Sequence, residues 1–177
     1  VRRWSLLAAV VVVGVALDQV TKHLATAYVR PRGLVTVVEG LLDLRYAINP
    51  GAFFSLGAEL PPDVRRLLFV IASIVATALI VRLYARTSAD QRALRVGLAL
   101  LLAGAIGNLI DRVVSGAVVD FVHLYWRDLQ WATFNVADVL ITAGLGALFL
   151  DLFRRRDPSP SSTAVPSSNP TVNEIDS

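Results

Sequence analysis

The sequence has no cysteine, no methionine, a single lysine and little charge of either sign, with only 18% of its 177 residues Asp, Glu, Lys or Arg. Without cysteine the chain has no disulfide, no thiolate metal site, no cysteine nucleophile and no sulfur of its own to carry a lipid, and either redox compartment is open to it. No Lys/Arg run is interleaved with aromatics, so nucleic acid is not an expected partner. Local metal-ligand spacing, a glycine-rich phosphate loop and a G-x-S-x-G turn are also missing. His23 and His123 are too far apart in sequence for a local metal signature and read as interfacial side chains.

What the sequence does have is apolar length. It is 55% hydrophobic with a mean hydropathy of +0.59, too apolar for an ordinary soluble domain. Of the 14 acids, Asp157, Glu174 and Asp176 lie in the last 21 residues, so 17 cations face 11 acids over the rest. That excess of +6 suits a protein held among anionic headgroups.

Four apolar stretches, Trp4–Leu17, Leu67–Val81, Val96–Ile110 and Ala132–Leu150, are candidate membrane spans. The first three hold 14 or 15 uncharged residues, fewer than the ~20 a hydrocarbon core requires. Flanking polar turns must complete them, giving expected spans of 5–25, 65–85, 93–113 and 132–153. Alternating orientation then brings Asp18, Lys22, Asn108, Asp111, Arg112, Asn135 and Asp138 to one membrane level. Arg2-Arg3 with the first apolar run and Ala25-Thr26-Ala27 also resembles a cleavable signal peptide. Asp18 and Lys22 interrupt that pattern and three more spans follow, so it reads as a span. Arg2, Arg3, Arg82, Arg86, Arg92, Arg95 and Arg154–Arg156 fall on one side, which places both termini in the cytoplasm and the polar cluster at the outer face.

Between the first two spans, Leu42, Leu44, Tyr46 and Ile48 alternate with a period of two, the mark of a strand. The β-branched run Leu34–Val38 and the turn at Glu39-Gly40 make it a hairpin or small sheet on the membrane surface, within an outer β region of about 34–56. Residues 114–131, rich in aromatics, read as a loop at headgroup level. From Asp157 the chain is Pro/Ser-rich without periodicity, which reads as a disordered cytoplasmic tail, 157–177, following a membrane unit of 1–156.

Ionisable side chains inside a span cost on the order of 2.5–3.5 kcal/mol at mid-membrane and need a reason to be there. Asp18 and Lys22, at i and i+4, form either a self-neutralising pair or a pair facing substrate. Lys22 is the one lysine among 17 cations, so a compact ammonium rather than a guanidinium is wanted there. Gly104 and Gly107 permit close helix packing. Asn108, Asp111 and Arg112 share a face, and an intrahelical or loop-clamping network accounts for Asp111 and Arg112, with Asn108 open to the same reading. Asp120 sits among apolar residues in the membrane-hugging loop, and Asp138 about two turns into the fourth span, roughly 9 Å below its start. If the 116–121 loop folds back on that helix, the two carboxylates meet where both cannot cheaply ionise. One then serves as base and the other as acid. The structural alternative makes Asp138 part of a helix contact and Asp120 a loop acid.

These features fall into five ordered blocks: Asp18-Gln19-Val20-Thr21-Lys22, Asn49-Pro50-Gly51-Ala52-Phe53-Phe54, Gly107-Asn108-Leu109-Ile110-Asp111-Arg112, Val119-Asp120-Phe121 and Phe134-Asn135-Val136-Ala137-Asp138-Val139. With them the sequence resembles the lipoprotein signal peptidases, bacterial signal peptidase II, an intramembrane aspartic protease family. The resemblance spans about 5–153 and departs at Phe53, where the family usually has Ala. It implies a membrane α-helical fold with four transmembrane helices and a small β-cradle on the outer, periplasmic side of the bacterial inner membrane. It also implies a catalytic pair of Asp120 and Asp138, with Asp18, Lys22, Asn49, Gly51, Asn108, Arg112, Asn135 and Ala137 shaping or supporting the site. The implied substrate is a prolipoprotein whose lipobox Cys carries diacylglycerol, cut just before that Cys. The implied chemistry uses a water held between the carboxylates, with no metal, no cofactor and no covalent intermediate. The bilayer and the substrate are the expected partners of a monomer. Two other readings compete: a small carrier or channel subunit lined by the intramembrane charges, and a membrane assembly factor without activity.

Overall fold

Nothing in the apolar stretches breaks a helix, and the punctuation at their ends decides where each stops. The computed structural model describes residues 2–51, 60–88 and 90–156. The Ala52-Phe53-Phe54 segment, with its departure at Phe53, and the 157–177 tail lie outside the described residues. Four helices form, α1 (Arg2–Leu24), α2 (Pro62–Arg86), α3 (Arg92–Ser115) and α4 (Val136–Arg156), each containing a stretch long and apolar enough to cross a membrane. Pro62 opens α2 with Asp63 in its first turn, where a missing N–H and a negative charge both suit a helix start. Gly116 ends α3 in a left-handed conformation, φ 79°, its N–H donating to the Arg112 carbonyl, a position that disfavours any side chain.

The first span runs further than its composition suggested. After Leu24 the chain continues as a π turn, Ala25–Val29, and a short 3-10 turn, Arg30–Arg32, because no breaker intervenes before Pro31 and Gly33. The Thr21 hydroxyl donates to the Leu17 carbonyl (2.8 Å) and the Thr26 hydroxyl to that of Lys22 (2.8 Å). Such back-bonding keeps helical backbone satisfied in an apolar setting.

Helix α3 is the hub. It packs against α1, α2 and, most extensively, α4. Half of its most apolar stretch is buried within the protein, against 6% for α2. A Cβ at Gly104 would strike the Ala137 carbonyl and the Ile141 side chain, so α3 and α4 approach backbone to backbone there, the small-residue contact that replaces the hydrophobic effect within lipid. At the other end Tyr84 is fully buried among Leu7, Leu98 and Leu102 and donates its hydroxyl to the Arg3 carbonyl at 2.6 Å.

A four-stranded antiparallel sheet, in the order β1-β2-β3-β4, joins the two loops at the opposite end. Strands β1 (Leu34–Val38) and β2 (Leu42–Asn49) form the expected hairpin. A bulge between Leu44 and Ala47 interrupts the two-residue period, so Ile48 is 54% exposed and does not share a buried face with Leu44. The stretch expected as an irregular headgroup loop is instead β3 (Val118–Trp126) and β4 (Leu129–Gln130). Its run of Val, Phe, Tyr and Trp carries strand propensity that its aromatic content masked. Phe134 then bridges to β3: the Phe134 N–H donates to the Val122 carbonyl (3.0 Å), and the Val122 N–H donates back to that of Phe134 (2.9 Å). The chain up to Asn135 is therefore tied to the sheet, and α4 starts at Val136 rather than 132. Asp138 consequently lies in the first turn of α4, not two turns below its top.

Candidate active site

Asn135 and Asp138 form a reciprocal cap on α4. The Asn135 Oδ1 accepts the Asp138 N–H (3.0 Å), and the Asp138 Oδ2 accepts the Asn135 N–H (3.1 Å). This is a capping box with Asp at its third position. It fixes the Asp138 rotamer and leaves the Asn135 Nδ2 free to point away from the helix. That Nδ2 donates to Asp120 Oδ1 at 2.7 Å and to Asn108 Oδ1 at 3.2 Å. One fully buried residue, through its side-chain Nδ2 on Asp120 and its backbone N–H on Asp138, thus holds both carboxylates singled out by the sequence.

Asp120 reaches this point because the β2–β3 register sets it opposite Ala47, two residues before Asn49 at the end of β2. Asn49 Nδ2 donates to Asp120 Oδ2 at 3.1 Å, and Asn49 Oδ1 accepts the Gly51 N–H at 3.0 Å. On the other side, Asn108 Nδ2 donates to Asp138 Oδ1 at 2.9 Å. Each of the four carboxylate oxygens therefore holds one N–H donor and keeps a further lone pair. Burial pushes the Asp120 carboxyl up to about 6; hydrogen bonds from Asn49 and Asn135 and the charge of Lys22 oppose the rise, and the nearby charge of Asp138 adds to it. Asp138 is only half-buried and forms the polar end of an apolar groove of about 550 Å³ along α4, lined by Phe134, Val139, Thr142 and Ala143.

Beneath the pair lies a second, fully internal layer. The Lys22 ammonium donates to Asp18 Oδ2 (2.8 Å), Asp111 Oδ2 (2.8 Å) and Asn108 Oδ1 (3.0 Å), which uses all three of its N–H bonds. The two acids are further satisfied by backbone. Asp18 Oδ1 accepts the Ala137 N–H at 2.8 Å, and Asp111 Oδ2 accepts the Val119 N–H at 3.1 Å. These hydrogen bonds clamp α1 to the start of α4, and α3 to the start of β3, while the Lys22–Asp111 ion pair joins α1 to α3. Arg112 donates to the Asn108 carbonyl (3.2 Å), lies 5.9 Å from the Phe69 ring and is within electrostatic reach of Asp138, Asp111 and Asp120.

Of the ten residues singled out, Asn49, Asn108, Asn135 and the two acids form the exposed-to-buried core of the constellation. Asp18 and Lys22 stand behind it, both with under 4% of their surface exposed. Ala137 takes part through its N–H and Gly51 through its turn. The sequence reading left out Gln19, whose Nε2 lies within hydrogen-bond distance of Asp111 Oδ1 (3.0 Å), Asp18 Oδ2 (3.2 Å) and the Gly107 carbonyl (3.2 Å). Its place between Asp18 and Lys22 in an apolar span was the available signal. Asp111 serves as the loop clamp its position suggested. His23 is exposed, whereas His123 is buried on β3 opposite Asp43.

A family model described as signal peptidase (SPase) II matches residues 10–154. A lipoprotein signal peptidase of Desulforapulum autotrophicum is 42% identical over 131 residues, covering 74% of this chain and 81% of that protein. One from Geobacter metallireducens is 40% identical over 145 residues, covering 82% and 88%. A solved structure described as a bacterial membrane enzyme, obtained by the in meso method at 1.9 Å resolution, matches with a TM-score of 0.76 at 27% identity, over 85% of this chain and 94% of its own. The chain therefore belongs to the signal peptidase II family and is a multi-pass bacterial membrane protease.

Proposed function

We propose that the protein is an aspartic endopeptidase that removes the signal peptide from diacylglyceryl-modified prolipoproteins by cutting just before the lipidated Cys, with Asp120 and Asp138 as its catalytic pair. The observation that carries this reading is Asn135, whose side-chain Nδ2 donates to Asp120 and whose backbone N–H donates to Asp138, so that one residue holds two carboxylates from separate segments at the polar end of an apolar groove. A water between the carboxylates attacks the scissile carbonyl, the ionised Asp takes its proton, and the neutral Asp donates to the developing oxyanion. The leaving amine then receives a proton from the same pair. The acyl chains stay in lipid along the α4 groove, and that anchoring supplies much of the orientation the reaction needs.

In this reading Asn49, Asn108 and Asn135 hold the two acids, with Gly51 fixing Asn49. Asp18, Lys22 and Ala137 hold the start of α4, and Arg112 balances the local negative charge. The 1–156 unit acts as a monomer with both termini in the cytoplasm and the pair near the outer face; 157–177 is a tail outside the catalytic unit. The test is cleavage of a diacylglyceryl-modified precursor beside its unmodified form by wild-type protein, Asp120→Asn and Asp138→Asn in detergent. Both variants should still melt cooperatively and lose cleavage by at least about 10³-fold, and the unmodified precursor should resist the wild type. Full activity in either variant overturns the pair, and equal cleavage of both precursors overturns the substrate class.

A further inference from the structure

An amide side chain can be turned either way, so its direction must be set by partners that cannot change roles. In this site two kinds of partner cannot. The Lys22 ammonium only donates, so the oxygen of Asn108 must face it at 3.0 Å, and the Asn108 Nδ2 must then face Asp138 Oδ1 at 2.9 Å. The backbone N–H of Asp138 also only donates, which turns the Asn135 oxygen toward it and the Asn135 Nδ2 outward. Asp138 thus receives a donor on each oxygen, from Asn108 and from the Asn135 N–H, and neither donor can rotate away. Asp138 also lies in the first turn of α4, where the partial positive charge of the helix end favours an anion. Asp120 lies on a strand and is 3% exposed. One of its two donors, Asn49, is itself exposed and oriented by a single turn hydrogen bond.

We propose that Lys22 is a positioning residue: it sets the direction of a Lys22→Asn108→Asp138 hydrogen-bond chain that holds Asp138 as the ionised, water-activating member of the pair and leaves the resting proton on Asp120. The proposal rests on the catalytic pair of the preceding section. The charged groups around Asp138 are consistent with it. Asp18 and Lys22 on α1 and Asp111 on α3 compensate one another at 2.8 Å. Among the described residues, Arg112 on α3 lies within electrostatic reach of both acids, and Asp120 on β3 and Asp138 act on one another. An arginine at position 22 would spread its donors over a plane and could not meet three acceptors converging on one nitrogen, which accounts for the lone lysine in an arginine-rich chain.

The test compares kcat and KM for a diacylglyceryl-modified precursor over about pH 5 to 9 in wild type, Lys22→Met/Asp111→Asn and Asn108→Asp. The double variant removes the direction-setting donor without changing the net buried charge. Its kcat should fall about tenfold to a hundredfold, the loss of one hydrogen bond to a charged group, with KM within about twofold and the acidic limb of kcat/KM moved up by about one pH unit. Asn108→Asp keeps an acceptor for Lys22 but turns a second carboxylate oxygen to Asp138, so its acidic limb should rise as well. If the double variant loses its cooperative melt, Asn108→Asp decides alone. An acidic limb that stays in place in a folded variant, or a loss confined to KM, overturns the positioning role while the pair stands. Cleavage retained by Asp138→Asn overturns the pair itself.

Discussion

Replacing Gly107 with alanine should be costly for a single added methyl group, because the atom it meets belongs to a pinned carboxylate. A Cβ there would lie 2.6 Å from Asp18 Oδ2 and 3.1 Å from its Cγ, so the carboxylate would have to retreat by close to 1 Å to restore ordinary contact. It has nowhere to go. Its Oδ1 holds the Ala137 N–H and its Oδ2 the Lys22 ammonium, each at 2.8 Å, and moving away from Gly107 stretches at least one of these beyond hydrogen-bond range. Overpacking contributes about 1–3 kcal/mol, and weakening a charge-assisted hydrogen bond in a dry site about 1.5–3 kcal/mol more. The sum, roughly 2.5–6 kcal/mol, corresponds to a fall in Tm of roughly 5–24 °C for a chain of this size. Because Asp18 holds the first turn of α4, Asp138 shifts with it and cleavage falls too. Melting in detergent followed by tryptophan fluorescence is the assay, with Gly146→Ala as control. That glycine sits in α4 with nothing within 4 Å of an added Cβ, so the same change should be neutral or stabilising by up to about 1 kcal/mol. Equal melting of the two variants would refute the idea that the Asp18 carboxylate fills the space Gly107 leaves.

Three further outcomes follow from the same geometry. Asn135→Ala removes the side-chain cap of α4 and the Nδ2 donor to Asp120, so it should lower stability by about 1–2 kcal/mol and cleavage far more than that loss explains, as measured by melting and turnover on one preparation. Asp120 titrates near 6 in the fold against 3.8 ordinarily, so the folded state holds its proton more tightly than the unfolded chain does. The stability this group contributes is full below about pH 4 and lost as pH climbs through about 6, by on the order of 3 kcal/mol. Asp120→Asn should flatten that part of the stability–pH curve, and an unchanged slope would count against a buried, proton-holding Asp120. Tyr84→Phe removes the hydrogen bond to the Arg3 carbonyl and should cost about 1 kcal/mol of stability with cleavage unchanged, because it acts at the end of the bundle away from the sheet.

Much of the molecule was legible as pattern. Uninterrupted apolar runs give four spans because lipid leaves a backbone no other way to satisfy itself, and polar residues at the ends of those runs mark the site because nothing else repays the cost of placing them there. Period-two alternation identified the β1–β2 hairpin. The third strand escaped notice because aromatic residues suit both a headgroup loop and a strand, and only a partner with free edge hydrogen bonds, here β2, decides between them. The length of the first helix depended on breakers at Pro31 and Gly33 rather than on apolar content, and the true start of α4 on Phe134 being held by β3.

The two acids could be named from their types and neighbours alone, since a carboxylate flanked by apolar residues at a membrane edge is costly wherever the chain goes. Their meeting could not, because it depends on three long-range choices: the bulged β2–β3 register that carries Asp120 inward, the Phe134 bridge that delays α4 until Asp138 falls in its first turn, and the turn of Asn135 toward both. Sequence spacing encodes what lies along one helix or strand, where geometry is periodic. The direction of an amide, the saturation of Lys22 by three partners from two helices and the Gly107 gap filled by Asp18 belong to side chains that meet only after the elements pack, and only the tertiary structure decides them.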